Sequence, residues 1–404
     1  MNRVQTVALA VIILLLVPVG AVVDADSATQ EQQVTSIINQ YFIRQYDSMT
    51  DGQFRNFRDL FGNSTVALET YRYEAGSLRL HLAVRRYCDA WLSSYTYEPN
   101  YKTVQIANGE ATVVIQPLAT YWDDRVKNTQ YLGYEEHELH LLLGHSGWKI
   151  NSDEYEAIGK DIDDANADWE ELIRSLPEQM QALNNISVDP QVRALHDGFA
   201  EGSFQTLATR SYSRSAAVSY ALSWSENYPA DPYRPDSYND DFQELATDNT
   251  YSNGGGNDCA NFVSQCIWKG FGGSVVDKTQ LPMVYNVPGA TNWYGVETGW
   301  AADAWVGATA LRSYVQSNYD NGLVGVQGTA GPMEQTYAGD FVHIDGHVMF
   351  ITTADDANHN GQTDWDEIHI TAHTENKLDY SVLNFWKTKP SHWTFMWVIA
   401  FREP

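Results

Sequence analysis

Apolar residues recur at helical spacing near the start of the chain and at strand spacing further along. From Thr29 they fall three and four positions apart, which is typical of one face of a helix. Helical spacing continues to about Leu92, and the pattern then changes to that of strands. The sequence therefore predicts helices followed by an antiparallel sheet, an α+β arrangement. The apolar positions of the first helix are Val34, Ile37, Ile38, Tyr41 and Phe42.

Two turn sequences divide the strands into hairpins. Asn108-Gly109 separates residues 101–106 from residues 111–115, and Asn-Gly suits a turn that needs positive φ. Residues 144–147, which include two glycines, separate a second pair of strands. We therefore expect two successive hairpins in this sheet.

Residues 27–155 are expected to form a small accessory domain. Helices followed by a curled antiparallel sheet are typical of cone-like α+β domains, which favours a structural or targeting role by analogy of fold. His137 and His140 are three positions apart on a strand, so they point to opposite faces and make a poor metal pair.

Acidic residues dominate the segment that follows. Between Lys160 and Asn185 the pattern predicts an amphipathic helix whose charges form a solvated face. We expect residues 156–205 to be an acidic helical linker and residues 206–404 to be a second domain, which starts with helices and ends in strands. Trp393–Phe401 is the most apolar of these strands and is predicted to lie inside the sheet.

The first residues of the chain have the pattern of an export signal. Arg3 precedes an apolar run from Val7 to Val23, and small residues before Asp26 suit cleavage. We expect residues 1–25 to be a signal peptide. The mature protein would then be secreted or associated with the cell envelope, with no stable membrane insertion. An uncleaved anchor is the alternative, although the run is shorter than a span of ~20 apolar residues.

The charge of the chain excludes some classes of binding partner, and its cysteine content bears on disulfide bonding. The chain has 52 acidic against 25 basic residues and a net charge of −27, so its surface repels nucleic acid and anionic lipid. The acidity fits either a saline habitat or a preference for a cationic substrate. Three cysteines in an exported chain argue against a disulfide framework and leave at least one thiol free.

One cysteine stands where a glycine loop meets the start of an apolar helix. Gly254-Gly255-Gly256 leads through Asn257 and Asp258, either of which is suited to cap the helix, into Cys259. Unpaired N–H groups and the helix dipole favour a thiolate there, with pKa values of roughly 3.5–7.5 instead of ~8.5. We therefore expect Cys259 to be a nucleophile of low pKa, whose backbone N–H stabilises a developing oxyanion.

The other two cysteines have no such setting. Cys88 and Cys266 are interpreted as small buried apolar residues. Cys266 lies seven positions after Cys259, which on one helix is about 10 Å and too far for a disulfide.

His347 is the candidate base for the thiol. It opens an apolar strand directly after the turn Asp345-Gly346. A histidine in that place can face a neighbouring helix terminus, and a Cys–His pair separated in sequence is the layout of an activated thiol. We expect His347 to take the proton of Cys259.

The cysteine segment resembles the Putative amidase domain family, a papain-like group related to bacterial cell-wall amidases and endopeptidases. Asp258-Cys259-Ala260-Asn261-Phe262-Val263-Ser264-Gln265 is similar to the family's Asp-Cys-Thr-Asn-Phe-Val-Ser-Gln element, with Ala260 where Thr is usual. The resemblance covers about residues 206–404, and the spacer between Asp340 and His347 is short for the family. Its other landmarks are similar to Tyr212–Tyr228, Thr291-Asn292-Trp293, Ala304–Leu311 and Gly339-Asp340.

The resemblance implies both a fold and a reaction. The fold would be a papain-like hydrolase domain, with helices packed on an antiparallel sheet. The reaction would be hydrolysis of amide bonds in peptides or in peptidoglycan cross-bridges.

Residues 356–367 have the ligand spacing of a calcium loop. The stretch from Asp356 to Glu367 fits D-x-[DN]-x-[DN]-G-x5-E at every defined position. Strands flank it, so we expect a structural calcium site at the tip of a β-hairpin; an ordinary polar hairpin tip is the alternative. The predicted ligands are Asp356, Asn358, Asn360, the Gln362 carbonyl and Glu367.

The same hairpin supplies a candidate third residue. If its strands pair symmetrically about the loop, His347 lies opposite position 373 or 374, and His373 comes within reach of its ring. Papain-like sites orient the base with such a polar residue, so His373 is predicted in this role, with Asn376 as alternative. A slip of one residue would place the two histidines on opposite faces.

These features predict a secreted cysteine amidase or peptidase. Cys259 would attack an amide carbonyl, His347 would take and return the proton, and His373 would orient the imidazole. The alternative is a secreted calcium-dependent binding or adhesion protein whose papain-like domain is a non-catalytic scaffold. The complete Cys–His pair favours the enzyme.

Overall fold

The computed structural model of the protein describes most of the chain after its first residues. The predicted signal peptide up to residue 24, and also Asn257 and Asn376, lie outside the described residues. These are residues 25–123, 129–133, 136–155, 167–200, 209–225, 258–273, 284–296, 300–344, 346–373, 377–385 and 390–403.

Helices and antiparallel sheets make up the molecule, which confirms the predicted α+β class. The helices are α1 (Ala25–Asp51), α2 (Thr65–Tyr87), α3 (Trp169–Arg174), α4 (Leu176–Asn184), α5 (Pro190–Ala200), α6 (Arg214–Ser223), α7 (Cys259–Gly270), α8 (Asp303–Val306) and α9 (Ala308–Asn321).

Within the described residues, the strands fall into two main sheets and one short pair. They are β1 (Ser94–Ala107), β2 (Glu110–Asp123), β3 (Thr129–Gly133), β4 (His137–Gly144), β5 (Gly147–Tyr155), β6 (Thr209–Arg210), β7 (Gly295–Val296), β8 (Trp300–Ala301), β9 (Gly325–Ala330), β10 (Phe341–Ile344), β11 (His347–Ala354), β12 (Ile368–Ala372), β13 (Lys377–Ser381) and β14 (Thr394–Arg402).

The first sheet contains both predicted hairpins. Its strand order is β1-β2-β4-β5, with β3 also paired to β2. Ala107 pairs with Glu110 across Asn108-Gly109, whose φ angles of 53° and 79° are those that Asn and Gly tolerate best. Gly144 pairs with Gly147 in the second hairpin. Helices α1 and α2 pack against this sheet.

The second sheet carries the candidate site. Its order is β13-β12-β11-β10-β14-β6, and β9 also pairs with β14. Strand β14 therefore lies inside the sheet, as its apolar sequence predicts. The hairpin of β11 and β12 spans the calcium-like loop, as predicted. Helix α7 packs against β11, and the backbone N–H of Val348, the second residue of that strand, acts on Cys259 at the start of the helix.

The segment between the two sheets differs from its prediction. In place of one amphipathic helix there are two in the described part of residues 160–185, α3 and α4, because Pro177 lacks an N–H and begins a new helix after Ser175; residues 160–166 lie outside the described residues. Helix α4 also buries an apolar face, formed by Leu176, Met180 and Leu183, in a core that it shares with both sheets.

Two large apolar cores, and a small cluster around Tyr73 and Leu80, hold the described elements together. One extends from Val34 of α1 to Phe395 of β14 and so joins the first sheet to one face of the second. The other surrounds α7 and includes Cys259. No helix within the described residues combines the length and the apolar character that a membrane crossing needs.

Candidate active site

Helix α7 begins at Cys259, as its sequence predicts. Asp258 occupies the N-cap position, but its side chain makes no capping hydrogen bond to the helix backbone, so the predicted capping role of that carboxylate is wrong. Its two oxygens are used otherwise. Oδ1 accepts a hydrogen bond from Nδ2 of Asn261 at 2.7 Å, and Oδ2 lies 2.5 Å from Nδ1 of His373.

The Cys259 thiol lies among backbone donors. The N–H groups of Val348, Ala260 and Cys259 itself stabilise its anion, and Val348 is the residue after His347. Cys259 is nevertheless only 4% exposed. Burial, with a smaller contribution from the neighbouring carboxylate of Asp258, raises the pKa of the thiol to about 11. The expected low pKa is therefore overturned, because desolvation outweighs the helix terminus.

His347 is the first residue of β11 and is buried. Its Nε2 atom has no hydrogen-bond partner among the described residues. Burial, with the charges of Lys377 and His343, lowers its pKa to about 3. The imidazole is therefore neutral near pH 7, which is the form that can accept a proton from a thiol.

His373 makes its hydrogen bonds away from His347. Its Nδ1 lies 2.5 Å from Oδ2 of Asp258, and its Nε2 lies 2.6 Å from the carbonyl oxygen of Trp224. The pair Phe350↔Thr371, continued back along the hairpin, places position 373 opposite Val348 and position 374 opposite His347. The two histidines thus occupy strand positions of opposite parity. No hydrogen bond joins them in the described part of the chain.

Polar residues of α7 form buried hydrogen bonds that connect this helix to neighbouring elements. Asn261 accepts a hydrogen bond at Oδ1 from Nε1 of Trp305 at 2.6 Å. Ser264 donates to the carbonyl of Trp305 at 3.0 Å and accepts from Nε1 of Trp293 at 3.3 Å. Gln265 accepts from the hydroxyl of Tyr220 at 2.6 Å. These buried polar side chains were signalled in the sequence only by their position on an otherwise apolar helix.

Two buried basic residues near His347 were missed by the sequence reasoning. Lys377 is 2% exposed, and its ammonium lies 4.9 Å from the ring centre of Tyr380. His343 is also buried, with Nε2 3.5 Å from the hydroxyl of Thr309. Neither has a motif of its own, because strand pairing alone brings them to the site.

The calcium-like loop is ordered by its own side chains. Asp356 accepts hydrogen bonds from the N–H groups of Asn360 and Gly361 at 2.9 and 2.8 Å. Glu367 accepts from the N–H groups of Asn358 and Asp364, both at 2.9 Å. No group of three or more His, Cys, Asp or Glu side chains in the described stretches is placed to hold a metal ion.

Comparison with known proteins supports the resemblance in the C-terminal half. Residues 211–397 match the sequence model of the family described as "Putative amidase domain". No curated protein matches the chain. Among solved structures, the Kfla4162 protein from Kribbella flavida is 13% identical in sequence, with a TM-score of 0.25, and the match covers 33% of this chain and 93% of that one.

Proposed function

Because residues 211–397 match an amidase family, we propose that the protein is a secreted cysteine amidase or peptidase that acts on peptides or peptidoglycan. The observation that carries the proposal is the environment of Cys259. The cysteine lies at the start of α7, where the backbone N–H groups of Val348, Ala260 and Cys259 favour its anion, and Val348 directly follows His347. A papain-like layout is supported by α7 packing against β11, which begins at His347.

The mechanism starts from a neutral pair. With the pKa of Cys259 near 11 and that of His347 near 3, thiol and imidazole are both uncharged at neutral pH. The sulfur becomes more acidic as it attacks the amide carbon, so the neutral His347 takes the thiol proton during the attack, and the Cys259 N–H stabilises the oxyanion that forms. His347 returns the proton to the leaving amine, and water then hydrolyses the thioester.

Incubation with candidate substrates tests the proposal. Purified peptidoglycan and amide-linked peptides are treated with the wild-type protein or with His347→Ala, and the products are identified by mass. We expect new amine and carboxylate ends with the wild type and a loss of at least about 100-fold in rate with the variant. A protein that binds cell walls in calcium but releases no products from either substrate would favour the adhesion alternative.

We also propose a structural calcium ion in the loop of residues 356–367. The loop is folded around the carboxylates of Asp356 and Glu367 by backbone N–H donors, and carboxylate oxygens retain lone pairs that suit a hard cation. Asp356, Asn358, Asn360, the Gln362 carbonyl and Glu367 would hold the ion. Its contribution would be to the stability of the β11–β12 hairpin, and no catalytic step uses it.

A further inference from the structure

The side chain of His373 is fixed by acceptors on both ring nitrogens. Nε2 lies 2.6 Å from the carbonyl oxygen of Trp224, and a carbonyl has no proton to donate. Nε2 must therefore carry a proton. The ring also stacks on Phe262, with centroids 3.9 Å apart and planes 20° apart, so it cannot turn away without losing this contact.

The other ring nitrogen shares a proton with Asp258. Nδ1 lies 2.5 Å from Oδ2 of Asp258, and two lone pairs would repel each other at that distance. One proton must lie between them, either on the ring or on the carboxyl group. In both cases the pair as a whole has no net charge. Both side chains are buried, at 0% and 2% exposure, so solvent does not screen the carboxylate.

Asp258 directly precedes Cys259, and its uncompensated charge would oppose formation of the thiolate. Its other oxygen is bonded to Asn261 in the first turn of α7. We propose that His373 is a positioning residue that acts through Asp258: the shared proton cancels the carboxylate charge beside Cys259 and fixes the first turn of α7.

This role differs from orientation of the base. An orienting residue would act on His347, whereas the contacts of His373 lead to the residue before the nucleophile. The other charged or titratable groups near the helix start are Cys266, on which Asp258 also acts, and His343 and Lys377, which act on His347. The inference rests on the proposed function, but it is tested without substrate.

The test measures how fast iodoacetamide labels Cys259 between pH 7 and pH 11, with the labelled peptide identified by mass. Asp258→Asn removes the carboxylate together with its compensating proton while its amide can still donate to Nδ1, so labelling at pH 8 should stay within about twofold of the wild-type rate. His373→Gln leaves the carboxylate charge uncompensated, so labelling should become several-fold slower. The double variant should resemble Asp258→Asn, because neither charge remains.

A merely structural role gives a different pattern. Loosening of α7 would expose the thiol and speed labelling in both single variants, and that result would overturn the proposal. Labelling that becomes several-fold faster with Asp258→Asn would also overturn it, even if His373→Gln fails to fold, because the carboxylate charge would then act uncancelled in the wild type. Asp153→Asn is the matched control, since Asp153 forms a buried contact of 2.8 Å with His137 in the other sheet and should leave the labelling profile unchanged. If the wild-type protein hydrolysed none of the substrates, that result would count against the proposed function. It would not count against the role of the His373–Asp258 pair.

Discussion

At the residue scale, burial decides the charge state of the nucleophile. A cysteine at a helix start is expected to ionise easily, yet Cys259 is enclosed by the core around α7 and its pKa rises to about 11. In the proposed mechanism, this neutral thiol would lose its proton to His347 only as the sulfur attacks the substrate.

The first prediction concerns the pH dependence of labelling. A thiol is alkylated as its anion, so the rate at Cys259 should rise about tenfold per pH unit from pH 7 to pH 10 and level off near pH 11. Iodoacetamide labelling with peptide-resolved mass detection measures this. A plateau below pH 8 would mean that the thiolate is already formed in the resting protein and would contradict the account.

The residues of the site were only partly predictable. The sequence identified Cys259 and His347 as candidates because a glycine loop, a helix start and a strand start are local signals. The contact between His373 and Asp258 could not be predicted from the sequence, because it depends on strand register and on how α7 packs across β11 and β12. Lys377 and His343 reach the site for the same reason and carry no local signal.

At the element scale, the loop of residues 356–367 gives the second prediction. Calcium should raise the melting temperature of the wild-type protein, since a ligand at a hundredfold excess over its dissociation constant stabilises the folded state by roughly 2.7 kcal/mol. Asp356→Ala should abolish this shift. Thermal melts with calcium and with chelator make the comparison.

Controls separate this site from general salt effects. Magnesium at the same ionic strength should produce a smaller shift, because it dehydrates reluctantly and prefers octahedral geometry. Equal melting temperatures in calcium and in chelator for the wild type would make the loop an ordinary polar hairpin tip. The two strands flanking this loop were predicted from sequence because apolar runs and turn residues are local signals; the bulge between Ile351 and Thr353 was not.

At the scale of the whole molecule, a buried ion cluster ties α5 to the second sheet. Asp340 accepts hydrogen bonds from Nε2 of His196 and from Arg214, each at 2.8 Å, and from the N–H of Val398 at 2.9 Å. Burial raises the pKa of Asp340, but Arg214 and His196 outweigh it and lower the pKa to about 2. The charged form of Asp340 therefore stabilises the fold.

The third prediction follows from the sign of that shift. A carboxylate whose pKa is lowered by folding stabilises the folded state fully at pH values above its pKa in the unfolded chain, ~3.9. This stabilisation is lost as the pH falls toward about 2, the pKa of Asp340 in the folded protein. Asp340→Asn should lower the free energy of unfolding by about 3 kcal/mol at pH 7 and by much less near pH 2.5. Urea unfolding of both proteins across this range measures the difference. If Asp340→Asn lowered the free energy of unfolding by the same amount at every pH, the stabilising role of the charged Asp340 would be contradicted.

The shared core gives the fourth prediction. Arg85 of α2 is buried and donates a hydrogen bond to Oδ1 of Asn384 at 2.6 Å, and the core around α1 extends into β14. A fragment of residues 206–404 would expose this apolar face, so it should aggregate or remain partly unfolded. Gel filtration and circular dichroism test it against the chain from residue 27. A monomeric fragment with the wild-type labelling profile of Cys259 would show that the C-terminal half folds independently.

This arrangement was not evident from the sequence. Composition changes suggested an accessory domain, a linker and a second domain, but the burial of α4 in a core that it shares with both sheets depends on contacts between residues far apart in the chain. Helices and hairpins were predictable because they follow from local periodicity, whereas their packing follows from the complementarity of whole faces.

The most direct test of the central claim compares amide hydrolysis by the wild type, Cys259→Ala and Cys266→Ala. Cys266 lies on the same helix and is fully buried, so its substitution is a matched control for the loss of a buried thiol. We predict that Cys259→Ala keeps its fold and loses essentially all hydrolysis, while Cys266→Ala retains most of it. Hydrolysis by Cys259→Ala at more than about a tenth of the wild-type rate would contradict the account.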